Sequence, residues 1–239
     1  AHPYMLLNYT ETLHAVFTLA HEMGHSMHTL LSHQAQPFVY AGYTIFVAEV
    51  PSTLSEALFL DLMLERAQSR TGRAVLLQHA IDSIASTFYT QVMFADFELQ
   101  AHRLVEEDRP VTADALNAIY AGLLREYYGD VIDEEAISRV TWARIPHFFS
   151  TPYYVYQYAT CFASTARLMQ GIRWADAAVR ADGVERYLSL LRGGGGDYPM
   201  ALLARAGVDL RQPDTVAAVG IELDALVARL ETELGQEPV

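Results

Sequence analysis

The sequence predicts an all-α fold, and three observations carry that prediction. Apolar residues recur at three- and four-residue intervals through most of the 239 residues, the period of one face of a helix. The stretch from Arg73 to Glu107 runs without a glycine or a proline. Strand-like residues cluster only between Phe38 and Thr44, a connector that reads as a loop or an edge strand.

The elements follow in order. Thr10, then Glu11 and the periodic Leu13, Val16, Phe17 and Ala20, predict a capped amphipathic helix running to about His33. A second helix is expected from about Phe46 to Gln68, with Pro51 placed in its first turn, where a missing N–H costs nothing. Thr71-Gly72 ends that region, and one long helix is predicted from Arg73 to Glu107, closed by Asp108-Arg109-Pro110. Thr112 caps the next, with Leu116, Ile119, Leu123 and Leu124 on one face and an end near Gly129. A further turn is expected from Asp133 to Arg139, then a loop from Val140 to Thr151. Pro152 is read as opening a tyrosine-rich helix to about Arg173. Helices near Ala175–Leu191 and Pro213–Leu234 flank a glycine run, Gly193 to Gly196, expected to be a flexible connector. That run lacks a following Lys-Ser/Thr and so is no phosphate loop.

Composition narrows the function. The formal net charge is −13, and all 16 basic residues are arginine. A basic face for nucleic acid or anionic membrane is therefore not expected. One cysteine, Cys161, excludes an internal disulfide framework and a cysteine-based metal cluster, and it reads as a small core residue. There is no apolar run of bilayer-spanning length and no leader-like start. A soluble, cytoplasmic protein is expected. The start at Ala1-His2-Pro3-Tyr4, without a methionine, reads as a piece of something longer.

The segment that carries chemistry is His21-Glu22-Met23-Gly24-His25, an H-E-x-x-H pattern in a predicted helix. The i, i+4 spacing puts His21 and His25 on one face, one turn apart, where both imidazoles reach a single cation. Glu22 sits about 100° round the helix, suited to take a proton from a water rather than to act as a third ligand. Two histidines leave the ligand set incomplete. His33 would need a glycine turn before it, and residues 26–32 contain none. Glu49 and Glu56, seven residues apart and so on one face of the second helix, are the candidates. One would bind the metal and the other support it or pair with an arginine. His28 shares the face of His21 and reads equally as a substrate or supporting contact and as packing. His14, one turn before the face of the motif, reads as exposed or as a packing residue, and His33, His79 and His102 show no partner pattern.

These residues resemble a known family. His21-Glu22-Met23-Gly24-His25-Ser26-Met27-His28, followed by Phe46-Val47-Ala48-Glu49-Val50-Pro51-Ser52, is similar to the zinc core of the oligopeptidase F and thimet-oligopeptidase family. Trp142-Ala143-Arg144-Ile145-Pro146-His147 and Tyr153-Tyr154-Val155-Tyr156-Gln157-Tyr158-Ala159 resemble its substrate loop, most closely in the bacterial oligopeptidase F branch. The likeness runs from about His2 to Leu210. It implies a zincin-type catalytic domain, with the H-E-x-x-H helix packed on a second ligand-bearing helix. It further implies residues 1–239 as one helical catalytic domain, the C-terminal part of a longer peptidase whose upstream helices close a channel over the zinc. By position, the resemblance implies one Zn2+ per chain, held by His21, His25 and Glu49, with Glu22 as general base. His147 would contact substrate, and Tyr153 and Tyr156 would donate to the oxyanion, with Tyr154 on the other side of their helix.

A neutral phenol with a pKa near 10 remains a donor at neutral pH and stabilises a developing oxyanion once desolvated. The competing reading of these tyrosines is an aromatic core stripe, because Tyr153, Tyr156, Phe162 and Leu168 also trace one helical face. The expected activity is endopeptidase cleavage of short oligopeptides. The alternatives are a zinc metallocarboxypeptidase, with Arg144 holding the substrate C-terminus, and a catalytically silent helical zinc-binding fragment.

Overall fold

The computed structural model describes residues 2–131, 138–173 and 176–235. Among them the secondary structure is helical, with no strand. The chain divides into two compact units, Ala1–Ile84 with Thr160–Val239, and Ala85–Ala159.

In the first unit, α1 (Leu13–Ala35) packs on α2 (Ile45–Arg66). The N-cap of α1 is Thr12 rather than Thr10: its hydroxyl accepts the Ala15 N–H at 3.2 Å. Glu11 between them has φ +58°, a left-handed conformation that cannot belong to the first turn of a right-handed helix. The connector forms a 3-10 turn, Phe38–Tyr40, not a strand.

Pro51 lies in the second turn of α2 instead of the first, because the helix already begins at Ile45. Its missing N–H leaves the Val47 carbonyl without an intrahelical donor. Side-chain donors gather on the neighbouring carbonyls. The Cys161 thiol donates to Phe46 O at 3.0 Å, and the Thr165 hydroxyl to Val50 O at 3.1 Å. The Ser52 and Thr53 hydroxyls donate to Glu49 O at 3.0 and 2.6 Å.

The core of this unit joins Val47, Val50 and Leu54 of α2 to Cys161, Leu168 and Met169, which lie in α7 (Tyr156–Arg173). Leu190 of α8 (Ala177–Gly193) and Leu202 and Leu203 of α9 (Pro199–Arg205) complete it. Asp176 caps α8 by accepting the N–H groups of Ala178 and Val179, each at 3.0 Å, and α9 is a helix the sequence pattern did not announce. The glycine run is closely packed rather than loose. Gly195 donates to Tyr40 O at 2.8 Å, and a Cβ on Gly194 would lie 2.5 Å from Tyr40 O. Two ion-pair sets tie helices together. Arg173 bonds Asp61 of α2 at 2.6 Å and also Glu222 of α10 (Pro213–Gly235), and Arg73 of α3 (Arg70–Ile84) bonds Glu233 of α10 at 2.7 Å. Among the described residues no helix is long and apolar enough to cross a membrane.

The second unit opens with a π-helical turn, Ala85–Tyr89, where the sequence predicts unbroken α-helix. Thr90 donates its hydroxyl to Ala85 O at 2.9 Å, five residues back, a side-chain bond that competes with the regular ladder. Then come α4 (Thr90–Glu106) and α5 (Ala113–Tyr128), the latter capped by Thr112 and stopped at Gly129 as expected. Met93, Phe94 and Phe97 of α4 meet Tyr120, Leu123 and Leu124 of α5 in the core, with Val155. The expected turn at Asp133–Arg139 falls largely outside the described residues. Ser138–Arg144 is a 3-10 segment and His147–Ser150 a single turn, α6, so the expected loop from Val140 to Thr151 is partly helical. Pro152 does not open α7. Tyr153 has φ +59°, incompatible with a helix, and α7 starts only at Tyr156.

Candidate metal centre

The centre begins with a glycine. At Gly24, inside the H-E-x-x-H sequence, the space of a Cβ is filled by Pro51 O at 2.4 Å and Ser52 Cα at 2.6 Å. The backbones of α1 and α2 therefore touch there. Glu49, two residues before Pro51, is brought opposite His21 and His25, one on either side of Gly24.

Three ligand atoms converge. His21 Nε2 lies 3.2 Å from His25 Nε2 and 3.1 Å from Glu49 Oε2, and His25 Nε2 lies 3.4 Å from the same oxygen. A tetrahedral metal with nitrogen and oxygen ligands at about 2.0–2.1 Å has ligand–ligand edges of about 3.3 Å. The three edges fit that value, and the donor set of two imidazoles and a carboxylate suits a first-row divalent cation.

Neighbouring groups fix the ligands. Glu56 Oε1 accepts from His21 Nδ1 at 2.6 Å, which leaves the Nε2 lone pair for the centre. Ser52 donates to Glu49 Oε2 at 2.7 Å. Glu49 and Glu56 both face α1, and only Glu49 joins the ligand cluster. Burial alone would lower the His21 pKa, but hydrogen bonds to Glu49 and Glu56 outweigh it and raise the imidazole to about 10. Burial would raise Glu49, yet bonds from His21, His25 and Ser52 hold its carboxyl well below the usual range.

Glu22 is half-buried on α1 beside His21. His28 does not join the cluster. It is 1% exposed, stacked on Tyr43 at 3.5 Å and 11°, and neither ring nitrogen has a hydrogen-bond partner among the described residues. Burial and the nearby His25 push its pKa down to about 3. Cys161 is fully buried, and desolvation raises its thiol to about 12, in keeping with a core donor.

The remaining sequence-predicted residues belong to the second unit. His147 begins α6 and stacks on Tyr154 at 4.9 Å and 13°, with Tyr158 edge-on to both rings. Tyr154 is therefore a partner of His147, a pairing the helical spacing did not suggest. Tyr153 and Tyr156 do not share a helix face as i, i+3 neighbours, since only Tyr156 is helical. They are 50% and 39% exposed, so they form no buried stripe. Tyr153 instead meets the ring of His102 at 4.7 Å, and its N–H bonds to Glu98.

Sequence reasoning passed over Gly24, Ser52 and Glu98. Gly24 and Ser52 lie inside the two quoted motifs. Glu98 sits next to Phe97 on a periodic apolar face, an acid at a core position, and that was its only signal.

An H-E-x-x-H helix crossing a glutamate-bearing helix, in an all-helical setting, defines the class. The sequence profile of Peptidase family M3 matches residues 1–219, and the chain belongs to that family. It is 37% identical over 233 residues to "Group B oligopeptidase PepB" of Streptococcus agalactiae, covering 95% of this chain and 38% of that protein. It is 38% identical over 218 residues to "Oligopeptidase PepF" of Bacillus subtilis, covering 90% of this chain and 32% of the relative. Among solved structures, oligoendopeptidase-F from Enterococcus faecium superposes with a TM-score of 0.80 at 33% identity, over 94% of this chain and 40% of that one. The chain thus spans about a third of the length of these curated relatives.

Proposed function

We propose that this chain is the catalytic, zinc-binding part of a cytoplasmic oligoendopeptidase that hydrolyses internal bonds of short peptides. The observation that carries the reading is the 3.1–3.4 Å triangle of His21, His25 and Glu49 in a member of Peptidase family M3. The names of the relatives, oligopeptidases and oligoendopeptidases, support short peptides as substrates.

When bound, zinc supplies Lewis acidity, acidifying a water toward neutral pH and polarising the scissile carbonyl. His21 and His25 present Nε2 lone pairs, and Glu56 holds the His21 ring in the required tautomer. Glu22 accepts the proton of the attacking water and returns it to the leaving amine, which departs neutral. Tyr153 and Tyr156 donate O–H hydrogen bonds to the oxygen that gains charge, and His147 contacts the substrate.

The test is metal analysis and peptide hydrolysis by the intact natural chain. About one zinc per chain is expected, lost in Glu49→Ala. Glu22→Gln should keep the zinc and lower kcat on a C-terminally amidated peptide at least 100-fold. Unchanged hydrolysis in Glu22→Gln would remove Glu22 as the base. Cleavage only of peptides with a free C-terminus would replace the endopeptidase by a carboxypeptidase.

A further inference from the structure

The second unit contains a buried carboxylate that the proposed mechanism does not use. Glu98 of α4 is 4% exposed, on the helix that also carries the core residues Phe94 and Phe97. A carboxylate placed there needs a hydrogen-bonding purpose, because burying an unpartnered one costs several kcal/mol or forces it neutral. Its Oε1 accepts the backbone N–H of Tyr153 at 2.7 Å, across 55 residues of sequence.

Tyr153 is where that bond has most effect. It is one of three non-glycine residues with positive φ among the described residues, a conformation that costs a side-chain-bearing residue about 1 kcal/mol or more. Thr151 and Pro152 precede it and α7 begins three residues later, so no helical ladder fixes its N–H. One helical turn along α4, His102 donates Nδ1–H to Glu98 O at 2.7 Å, which fixes its ring, and that ring lies against Tyr153 at 4.7 Å and 33°. Residues 98 and 102 share one face of α4. One holds the backbone of Tyr153 and the other its ring, while the phenol remains half exposed.

We propose that Glu98 is a positioning residue for Tyr153: its buried carboxylate locks residue 153 in the left-handed conformation and thereby sets the direction in which the phenol donates. Strained backbone of this kind persists only where its surroundings over-determine it, and α4 supplies that constraint. The inference rests on the reading of Tyr153 as an oxyanion donor.

The test is a double-mutant cycle in the intact natural chain, with zinc content and far-UV circular dichroism recorded for each variant. Tyr153→Phe is expected to lower kcat on an amidated peptide 10-fold or more. Glu98→Leu, which keeps bulk and removes the acceptor, should lower kcat similarly, with KM within about 3-fold and zinc unchanged. Glu98→Gln, which keeps an acceptor oxygen, should recover most of the loss and also serves if Glu98→Leu does not fold. In the Tyr153→Phe background, Glu98→Leu should cost nothing further. Equal losses from Glu98→Leu in both backgrounds would overturn the proposal, as would normal kcat in Glu98→Leu beside a deficient Tyr153→Phe. Normal kcat in Tyr153→Phe itself would refute the donor role of Tyr153, and this inference with it.

Discussion

Gly24 shows how one missing carbon determines the site. Alanine in a helix interior is ordinarily about 1 kcal/mol better than glycine. At Gly24 the added carbon would meet three backbone atoms within 2.6 Å, and backbone cannot rotate away as a side chain can. Gly24→Ala must therefore push α1 and α2 apart at the point that aligns Glu49 with the histidines. It is expected to destabilise the protein by about 1–3 kcal/mol, the range for overpacking a tight contact, and to weaken zinc binding at least 10-fold. Gly122→Ala on α5, where nothing lies within 4 Å, is the control. It should stabilise by up to about 1 kcal/mol and leave zinc binding alone. Urea unfolding and zinc titration of the two variants separate helix propensity from the contact.

At the scale of the element, the sequence was most legible where periodicity and a cap agreed. Thr112 with Leu116, Ile119, Leu123 and Leu124 locates α5 at both ends. The H-E-x-x-H helix, and a partner helix bearing glutamates seven residues apart, are equally plain from spacing. What was not legible depends on contacts between elements. Thr10 and Thr12 offer the same hydroxyl, and only the left-handed Glu11 decides between them. Pro51 looks like a first-turn residue until α7 supplies donors around the carbonyls near it, which let a helix continue through proline. Tyr153 reads as helical by pattern, and a carboxylate 55 residues away holds it out of the helix.

The support from α7 gives an element-scale prediction. Thr165 bonds Val50 O at 3.1 Å and shares a 2.6 Å hydrogen bond with Thr53, all of it buried. Thr165→Val keeps the shape and removes the hydroxyl from two partners. A loss of about 1–3 kcal/mol is expected, the cost of buried polar groups left unmade. It should appear as a lower urea midpoint with an unchanged slope. Thr165→Ser, which retains the hydroxyl, should recover the bonds and lose only the methyl contact, about 1 kcal/mol.

For the whole molecule, acid stability depends on an imidazole outside the ligand set. His28 is buried in the first unit against Tyr43, and burial first, then the nearby His25, lowers its pKa from 6.5 to about 3. Between those values the unfolded chain binds a proton at His28 that the folded chain refuses. Stability therefore rises with pH across this window and falls on acidification, by about 1.4 kcal/mol per pH unit from this residue alone. Above pH 6.5 both states are neutral there, and His28 contributes no slope. Metal release would add its own pH dependence, so the comparison belongs to chelated protein. His28→Phe keeps a ring against Tyr43 and removes the proton site. Unfolding free energies at pH 7, 6 and 5 should fall less steeply in His28→Phe than in the parent, by about one proton's worth between pH 6 and 5. Parallel curves would mean that His28 takes up its proton in the folded state, and hence that its two ring nitrogens find partners in solution.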